Sequence, residues 1–455
     1  MVLRTTLLLV LVLTGCGASS SSSTPADSGA APSPAADAGT PEASGSGSNS
    51  GGSIEAGSDG STEAGAGSDA GGGLAQGTAL VRVHYPAASH VVTLRGGAAG
   101  LTWTTGVAMA ASGNTFSVTL TGITAPVEYK PLLDDTTWAI GPNYHVSSGA
   151  TVDIYPHFIQ MTGQVSTLIA DFHSNVLNDD RAIYAYLPAS YTENAEASYP
   201  VVYMHDGQNL WAALPELAFS GTWNVDTTFD TASQTGACSA GGVMGWGAQP
   251  LGGTATTCTG DSDCASAECR TFPEAIVIGV ANDANRVYEY TPTVDPTETS
   301  LGPAGGADQY LQMLVTELKP AIDGMLRTRP DVTQTAMCGS SLGGLVTAYA
   351  GLKRPDVYGL VAALSPSTWW DSDVIVTDVE GTLPAPTRPL IVYVDSGQGT
   401  VDDESDTDEL AAAYLALGYV DGQDFRHVIQ PGAQHSETYW AERFPGAMQL
   451  LLGAR

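Results

Sequence analysis

A serine stands between very small residues where two contrasting stretches of this chain meet. Residues 339–343 read G-x-S-x-G, with Ser341 at the centre. An apolar run over 332–338 precedes them and predicts a strand, while 342–353, rich in Gly, Ala and Leu and followed by Pro355, predicts a helix. A serine on so sharp a strand-to-helix turn projects its hydroxyl above a parallel sheet, and crowding there admits only tiny flanking residues. The motif alone is weak, so its weight comes from this setting.

Short, almost continuously apolar runs alternate with helical patterns through the C-terminal two-thirds of the chain. A strand that is buried on both faces has this pattern, because it has no solvent-facing side. The predicted strands cover residues 182–187, 200–204, 275–280, 332–338, 360–364 and 390–394, and the predicted helices cover 308–326, 342–353 and 408–417. Such alternation implies a mostly parallel sheet with helices on both faces. We therefore predict an α/β domain over residues 158–455.

Residues 78–157 have a different, two-residue period. Apolar and polar residues alternate around Val81, and Gly, Pro and Asn separate this run from similar ones. The pattern is typical of a small antiparallel β-sandwich. Trp103, Trp138 and Tyr144 can stack on a sugar ring, although aromatic residues of a small sandwich more often belong to its core.

Residues 1–16 carry the pattern of an export signal. Arg4 gives a positive N-terminal region, and residues 7–13 form an apolar core too short to span a bilayer. The tetrad ending in Cys16 resembles the bacterial lipobox, in which the cysteine becomes the lipidated N-terminus; the alternative is an ordinary signal peptide that contains a cysteine. Because Gly17 rather than Asp follows, we expect a lipid-anchored extracytoplasmic protein at the outer membrane or cell surface.

Residues 17–77 consist mainly of Ser, Gly, Ala, Pro, Asp and Glu. A segment with so few large apolar side chains cannot bury enough surface to offset its ordering entropy. We predict a flexible tether between the lipid site and the folded part of the chain.

The chain carries a formal net charge of −32, with very few lysines. Negative charge of this size argues against nucleic acid and anionic lipid as partners. It is compatible with neutral or cationic partners, although acidity that simply aids solubility explains it equally well. Membrane contact is therefore expected through the N-terminal lipid only.

Six cysteines fall into three groups by position: Cys16, a cluster of four within residues 231–272, and Cys338 at the end of a predicted strand. The cluster comprises Cys238, Cys258, Cys264 and Cys269. In an exported protein these four most simply form two disulfides that hold a loop-like insertion together, and three pairings are possible. Zinc binding is the weaker alternative, because the spacing fits a zinc site poorly. We expect Cys338 to be a buried, inert thiol.

Ser341 requires a base, and the base requires an acid that fixes its tautomer. In α/β-hydrolases the chain order is serine, acid, histidine. His435 follows the predicted last strand, 425–429, in a loop before the C-terminal helix, whereas His427 lies inside that strand and is expected to be structural. The acid should follow strand 390–394, where Asp402 is favoured over Asp395, Asp403, Glu404 and Asp406.

Stabilising an oxyanion requires hydrogen-bond donors near the serine. The amide of Leu342, directly after the serine, is one candidate. The second should follow strand 200–204, where Gly207 permits a close backbone approach and makes the Gln208 amide the expected donor. The alternative is a glycine turn beside a core tryptophan.

Residues 165–452 resemble the esterase family that includes feruloyl and acetyl-xylan esterases, siderophore esterases, S-formylglutathione hydrolase and the mycolyl-transferring antigens. The matching segments, in chain order, are RAIYAYLP at 181–188, HDGQNLW at 205–211, NR at 285–286, EYTP at 289–292, ELKP at 317–320, GSSLGG at 339–344, SPSTWW at 365–370 and GAQH at 432–435. The resemblance implies an α/β-hydrolase fold, a serine/acid/histidine site without cofactor or metal, and an early-set immunoglobulin-like module at 78–157. The chain departs from the family at 231–272, which has no recognised counterpart, and in its long, acidic region around Asp402.

Together these features predict an extracytoplasmic serine esterase acting on small-molecule or carbohydrate-linked esters, such as feruloyl, acetyl or siderophore esters. Trp211, Trp370 and Trp440 are the predicted substrate-binding residues, with Trp369 and Tyr439 as further candidates. Two alternatives stay open. The same residues can transfer an acyl group to a sugar alcohol, or the chain can be an inactive, carbohydrate-binding surface lipoprotein.

Overall fold

The computed structural model describes residues 74–239, 257–264, 268–381 and 391–453. The predicted signal segment with Cys16, nearly all of the predicted tether and the centre of the 231–272 insertion lie outside these residues. Among the residues described, no helix combines the length and the apolarity that crossing a bilayer requires.

The first described domain consists of two sheets that share one apolar core. One sheet has the strand order β4-β5-β1-β9, and the other has the order β3-β2-β6-β7, with β8 also paired to β6. Its strands are β1 Thr78–His84, β2 Val92–Gly96, β3 Val107–Ala108, β4 Ala110–Ser112, β5 Thr115–Thr121, β6 Val127–Leu133, β7 Thr137–Trp138, β8 Tyr144–Val146 and β9 Thr151–Ile154. All pairs are antiparallel except β1 with β9. The predicted sandwich is confirmed, and its assignment as immunoglobulin-like stays a prediction.

The larger domain is built on an eight-stranded sheet of order β10-β11-β16-β12-β17-β18-β19-β20. The first two pairings are antiparallel and the others are parallel. Its strands are β10 Gln164–Ser174, β11 Asp179–Leu187, β12 Val201–Met204, β16 Ile276–Val280, β17 Thr335–Ser341, β18 Leu360–Pro366, β19 Ile391–Gly397 and β20 Phe425–Gln430. This sheet, with helices on both faces, is the predicted α/β-hydrolase architecture.

The described helices connect these strands. They are α1 Ser190–Glu193, α2 Val225–Gln234, α3 Arg286–Tyr290, α4 Ala307–Met313, α5 Lys319–Met325, α6 Leu342–Lys353, α7 Val374–Glu380, α8 Glu404–Ala416 and α9 Glu437–Leu452, with a π-helical turn, Leu314–Leu318, joining α4 to α5. The predicted helix 342–353 has the predicted bounds, and 308–326 is one run of α4, the π turn and α5.

The central strands separate two apolar cores. Successive side chains of a strand point to opposite faces of the sheet. In β12, Val201 and Tyr203 accordingly belong to one core, whereas Val202 and Met204 belong to the other. Because β12 and β16 to β19 are buried almost throughout, their sequences are apolar without alternation.

The described part of the insertion forms a small sheet, β14-β13-β15, from β13 Gly236–Ser239, β14 Thr257–Cys258 and β15 Glu268–Arg270. Its disulfides pair Cys238 with Cys264 and Cys258 with Cys269, which confirms the prediction and resolves the pairing. Cys338 is a buried free thiol, as expected.

The insertion contacts the sandwich. The Asn143 amide donates to the Thr259 carbonyl at 2.9 Å, and His145 Nε2 lies 2.9 Å from Asp261 Oδ2. The Asp261 amide also donates to Glu128 at 2.8 Å. The described residues of the insertion, which belongs to the larger domain, therefore form hydrogen bonds that link this domain to the sandwich.

The segment after β11 joins the two domains. Glu193 at the end of α1 accepts hydrogen bonds from Tyr85 and from the Phe158 amide of the sandwich side. The next residue, Asn194, is fully buried and donates to the carbonyls of His84 and Pro156, each at 2.9 Å. The sandwich is thus docked through hydrogen bonds to both side-chain and backbone groups.

Candidate active site

Ser341 lies at the junction of β17 and α6 with an unusual backbone conformation. Its φ of 59° and ψ of −127° are sparsely populated for a residue with a side chain. A Cβ atom at Gly339 would stand 2.7 Å from both the Gly343 carbonyl oxygen and His205 Cδ2, so the position admits only glycine. This is the sharp strand-to-helix turn that the sequence predicts.

The turn brings Ser341 to the carboxyl edge of the parallel sheet, beside the end of β18. The Ser341 carbonyl accepts a hydrogen bond from the Ser367 amide at 3.0 Å, and Ser341 pairs in register with Pro366. Strands β19 and β20 end at the same edge, so the loops that follow them reach this region. Those loops carry Asp402 and His435.

His435 and Asp402 form a close pair. His435 Nδ1 lies 2.6 Å from Asp402 Oδ1. The imidazole is partly exposed, whereas the carboxylate is completely buried. With Nδ1 engaged by Asp402, Nε2 is left as the proton-accepting atom of the ring.

The buried carboxylate of Asp402 is held in its ionised form. Burial alone would raise its pKa, but hydrogen bonds from His435, the Ser365 hydroxyl and the Gly397 amide outweigh burial and lower the pKa of Asp402 below its ordinary value. An ionised Asp402 can both orient the imidazole and stabilise an imidazolium.

The other carboxylates of this region have different partners. Asp395, at the end of β19, is fully buried and lies 2.9 Å from Arg443 Nε. Asp403 precedes α8, and Glu404 and Asp406 lie in its first turn, where negative charge favours a helix N-terminus. Among the described residues, Asp402 is the carboxylate that contacts His435, in agreement with the choice from sequence.

Trp440 of α9 connects the histidine to the serine. Its indole packs edge-on against the His435 ring, with centroids 5.0 Å apart. Its Nε1–H donates to the Ser365 hydroxyl at 3.0 Å, and its side chain lines the same cavity as Ser341. The indole therefore contacts Ser365, which donates a hydrogen bond to Asp402, and also lines the cavity in front of Ser341.

The loop after β12 forms another wall of the cavity. Asp206, in the left-handed conformation with φ 53°, pairs with Arg286 through contacts of 2.7 and 2.9 Å. Burial would raise the pKa of Asp206, but the charge and hydrogen bonds of Arg286, together with the hydrogen bond from Asn282, outweigh burial and lower this pKa. Asn282 bonds to Asp206 and also to the Gln208 side chain, so the loop is held from two sides.

The two predicted amide donors both lie in the first turn of a helix. Gln208 belongs to the 3₁₀ turn Gly207–Asn209, and Leu342 is the first residue of α6. Backbone N–H groups at such positions have no acceptor within their own helix. A Cβ at Gly207 would stand 2.5 Å from the Gly279 carbonyl carbon, so this approach requires glycine. Both amides thus lie at helix starts that follow β12 and β17, at the carboxyl edge of the sheet.

The cavity in front of Ser341 has a volume of about 350 Å³. Aromatic side chains of Phe219, Trp223 and Trp440 line it together with polar groups of Gln208 and Arg286. Sequence reasoning missed Phe219, Trp223 and the cavity role of Arg286. Only the NR segment at 285–286 hinted at the arginine.

Two of the three predicted substrate-binding tryptophans lie elsewhere. Trp211 is fully buried in the core on one face of the sheet, and Trp370 is 1% exposed in the core on the other. The Trp370 indole donates to the Thr293 carbonyl. The prediction is therefore corrected for Trp211 and Trp370, because packed core side chains do not reach the cavity, while Trp440 does line it.

Within the described residues, side chains of the types that bind metal ions come together at three places. All three lie outside the set of residues that line the Ser341 cavity. One comprises cysteines already joined in disulfides. Another is Glu128, His145 and Asp261 at the sandwich–insertion contact. The third is Asp179, Asp283 and Glu289, two of which contact Arg181.

Parts of this chain are similar to a family model and to several known proteins. The Esterase family model matches residues 174–239 and 256–451, more than half of the chain. Uncharacterized protein YbbA of Bacillus subtilis is 22% identical over 284 residues, 60% of this chain and 93% of that protein. A siderophore enterobactin esterase of Emericella nidulans is 31% identical over 101 residues, but the alignment spans only 33% of that protein and 20% of this chain. The solved structure of an IroE-like serine hydrolase from Shewanella oneidensis is 20% identical, with a TM-score of 0.44, 64% of this chain covered and 80% of the other.

Proposed function

The chain belongs to the Esterase family, and from this premise we propose that it is a serine-dependent carboxylic ester hydrolase with Ser341 as nucleophile. The observation that carries the proposal is the His435–Asp402 pair. It lies at the same sheet edge as the strained turn of Ser341, and Trp440 contacts both the pair and the serine's cavity.

In the proposed reaction, Ser341 Oγ attacks the ester carbonyl carbon while His435 Nε2 takes the hydroxyl proton. Asp402 holds the imidazole and stabilises the imidazolium. The amides of Gln208 and Leu342 donate to the tetrahedral oxyanion, a contribution of about 3–4 kcal/mol per donor in other enzymes. His435 then returns the proton to the leaving alcohol, and a water molecule hydrolyses the acyl-enzyme by the same steps.

The cavity favours esters that carry a planar apolar group. Phe219, Trp223 and Trp440 present aromatic surface beside the serine, and aromatic rings prefer offset or edge-on contact with one another. A feruloyl ester carries such a ring, joined to the ester carbonyl through a conjugated double bond. The name of the Emericella relative adds enterobactin as a second ester to compare.

The first experiment uses a fluorophosphonate probe and the Ser341→Ala variant. We expect the parent chain to be labelled once and to hydrolyse p-nitrophenyl acetate, and the variant to lose both properties while keeping its circular dichroism spectrum. Labelling of the variant at the parent rate would assign the nucleophile to another residue. Comparing kcat/KM for methyl ferulate and enterobactin then ranks these two substrates. Repeating the reactions with an added sugar as acyl acceptor tests for acyl transfer to its hydroxyl groups.

We also propose that the protein acts outside the cytoplasm, attached to a membrane through Cys16. Two disulfides support this location, because such bonds persist in oxidising compartments. Expressed in a bacterium with a lipoprotein pathway, the parent should incorporate labelled palmitate and partition into detergent, and Cys16→Ser should do neither. Equal incorporation by both proteins would contradict the proposal.

A further inference from the structure

A second cavity, of about 330 Å³, lies between the sandwich and the larger domain. The sandwich side contributes Tyr144 and Tyr155, and the larger domain contributes Phe272, Glu274 and Arg329. Binding sites for small molecules favour concave, largely apolar spaces of this size at domain interfaces.

This interdomain cavity is separate from the one that contains Ser341. Of its lining residues, Pro200 directly precedes β12 and Glu274 lies two residues before β16, so both are at the amino edge of the parallel strands. Ser341 ends β17 at the opposite, carboxyl edge. The four residues of β12 alone separate the two edges by roughly 13 Å.

Arg329 is the unusual side chain of the interdomain cavity. Its guanidinium lies 6.0 Å from the Tyr155 ring centroid, and within the described residues it has no carboxylate or carbonyl partner. The other described arginine side chains do have such partners; they are Arg82, Arg95, Arg181, Arg286, Arg327, Arg354, Arg426 and Arg443. In a chain with 48 acidic and 16 basic residues, an arginine without an acidic partner is unexpected.

The acidic groups around this cavity are already engaged. Glu274 accepts hydrogen bonds from the Ser190 amide and hydroxyl. Asp153 pairs with Arg82 at 2.5 Å and with His84 at 2.6 Å. Among the described charged side chains that line this cavity, Arg329 is therefore the one without a counter-charge. A planar guanidinium matches a carboxylate through two parallel hydrogen bonds.

The backbone that carries Arg329 is fixed. The Arg329 amide donates to the Tyr199 carbonyl at 2.7 Å, and the Tyr199 amide donates to the Arg327 carbonyl at 2.9 Å. Tyr199 itself is buried and lines the cavity. With this backbone already fixed, only the side-chain torsions of Arg329 remain to be ordered on binding, which limits the entropy lost.

We propose that the interdomain cavity binds a small organic carboxylate that carries an apolar ring. The carboxylate pairs with Arg329, and the ring lies among Tyr144, Tyr155 and Phe272. The site is independent of the Ser341 chemistry, and its occupant joins residues of both domains.

The test uses benzoate as the probe and isothermal titration of the full chain. We expect a dissociation constant of about 1 mM or tighter. Benzamide, which has the ring without the charge, and acetate, which has the charge without the ring, should each bind at least tenfold more weakly. Arg329→Gln should weaken benzoate binding at least tenfold, because it removes a charge-assisted pair. The matched control is Arg354→Gln, which alters a surface arginine paired with Asp356 and should leave binding unchanged.

A second variant fills the space without changing charge. Ser198 lines the cavity and is only partly buried, so Ser198→Phe should abolish benzoate binding while the thermal midpoint of unfolding stays close to the parent value. The proposal is overturned if benzoate and cyclohexanecarboxylate both fail to bind the parent at millimolar concentration. It is also overturned if benzoate binds Arg329→Gln and Ser198→Phe as well as the parent, since binding would then be at another site.

Discussion

The hydroxyl group of Ser365 uses its full hydrogen-bonding capacity behind the His435–Asp402 pair. It donates to Asp402 Oδ2 at 2.7 Å and accepts from Arg443 at 2.7 Å and from Trp440 at 3.0 Å. A serine hydroxyl offers one donor and two acceptor sites, so none is left over. Arg443 also pairs with the second buried carboxylate, Asp395. One small side chain thus couples the acid that orients the histidine to an ion pair in the core.

The two buried carboxylates should respond differently to neutralisation. Asp402→Asn is expected to lower kcat by roughly 10²–10⁴, because an amide no longer fixes the imidazole tautomer. Asp395→Asn removes the partner of a buried arginine and should instead lower the free energy of unfolding, by about 3–5 kcal/mol. Steady-state kinetics and urea unfolding of both variants separate the two roles.

Asp403→Asn and Asp406→Asn serve as controls for the acid and should stay within about tenfold of the parent kcat. A near-neutral Asp402→Asn would contradict the assignment. If all the variants were near-neutral in kcat, the enzyme would work with a serine and a histidine alone.

A second prediction at this scale concerns His205, which is fully enclosed beside the serine turn. Burial lowers the pKa of His205 to about 4. The unfolded chain binds a proton at this residue below about pH 6.5, whereas the folded chain does so only below about pH 4. His205 therefore favours unfolding increasingly as pH falls from about 6.5 to about 4, and has no such effect above pH 6.5.

The measurement is the ring ¹⁵N chemical shift of His205 as a function of pH, with the urea midpoint recorded in parallel. We expect the ring to stay neutral down to about pH 4 and the midpoint to fall through this window. A ring that titrates near pH 6.5 in the folded protein would disprove the burial argument.

At the scale of elements, the segments best predicted from sequence are those in which the local backbone accepts few residue types. The β17–α6 turn was predictable because Gly339 has no room for a side chain. Strand β10 was missed because it is an edge strand, mostly exposed, and lacks the apolar pattern of its neighbours. Helix α8 begins at Glu404 rather than near 408, because acidic residues that belong to its first turn resemble loop residues in a sequence. Trp211 and Trp223 are both buried, but of these two only Trp223 lines the Ser341 cavity. This difference depends on packing between distant elements, which local sequence patterns do not report.

The disulfide insertion supports a prediction of its own. Its bonds close loops of 26 and 11 residues, and its described residues contact the sandwich at Asn143 and His145. Reduction with dithiothreitol should lower the thermal midpoint, because the unfolded chain is no longer constrained. Esterase activity at 25 °C should change by less than about twofold, since activity responds mainly to groups at the reacting centre.

Counting free thiols measures the extent of reduction. In denatured protein that has not been reduced, Cys338 should be the one described cysteine that reacts. A loss of activity that parallels the appearance of thiols, at a temperature where the chain stays folded, would place the insertion at the active site.

At the scale of the whole molecule, the candidate active site and the contact with the sandwich lie at opposite edges of the parallel sheet. The carboxyl edge carries Ser341 and the loops of Asp402 and His435. The amino edge receives the sandwich, as the shared cavity with Pro200 and Glu274 shows. Substitutions that remove hydrogen bonds between the domains should therefore lower stability and leave the ester chemistry unaffected.

Glu193 tests this separation. One of its carboxylate oxygens accepts from Tyr85 and the Phe158 amide, and the other accepts from the amides of Ile159 and Gln160. A glutamine can satisfy only one of these pairs, because its NH₂ group would face donors on the other side. Glu193→Gln should cost about 1–3 kcal/mol of folding free energy, measured by calorimetry, with kcat/KM unchanged. Glu196→Gln, which affects a single exposed contact with Asn114, is the matched control, and equal losses from both variants would contradict the argument.

The direction in which β1 runs has a practical consequence for attaching this protein to a solid support. Its His84 end contacts the larger domain through Asn194, and its Thr78 end is roughly 20 Å from that contact, the length of a strand of 7 residues. A bead or electrode attached directly at the first described residues, 74–77, would be bound to the sandwich, which lies at the amino edge of the sheet and away from its carboxyl edge. The mouth of the Ser341 cavity would then face the bulk liquid, and bulky or polymeric esters could reach it without meeting the support.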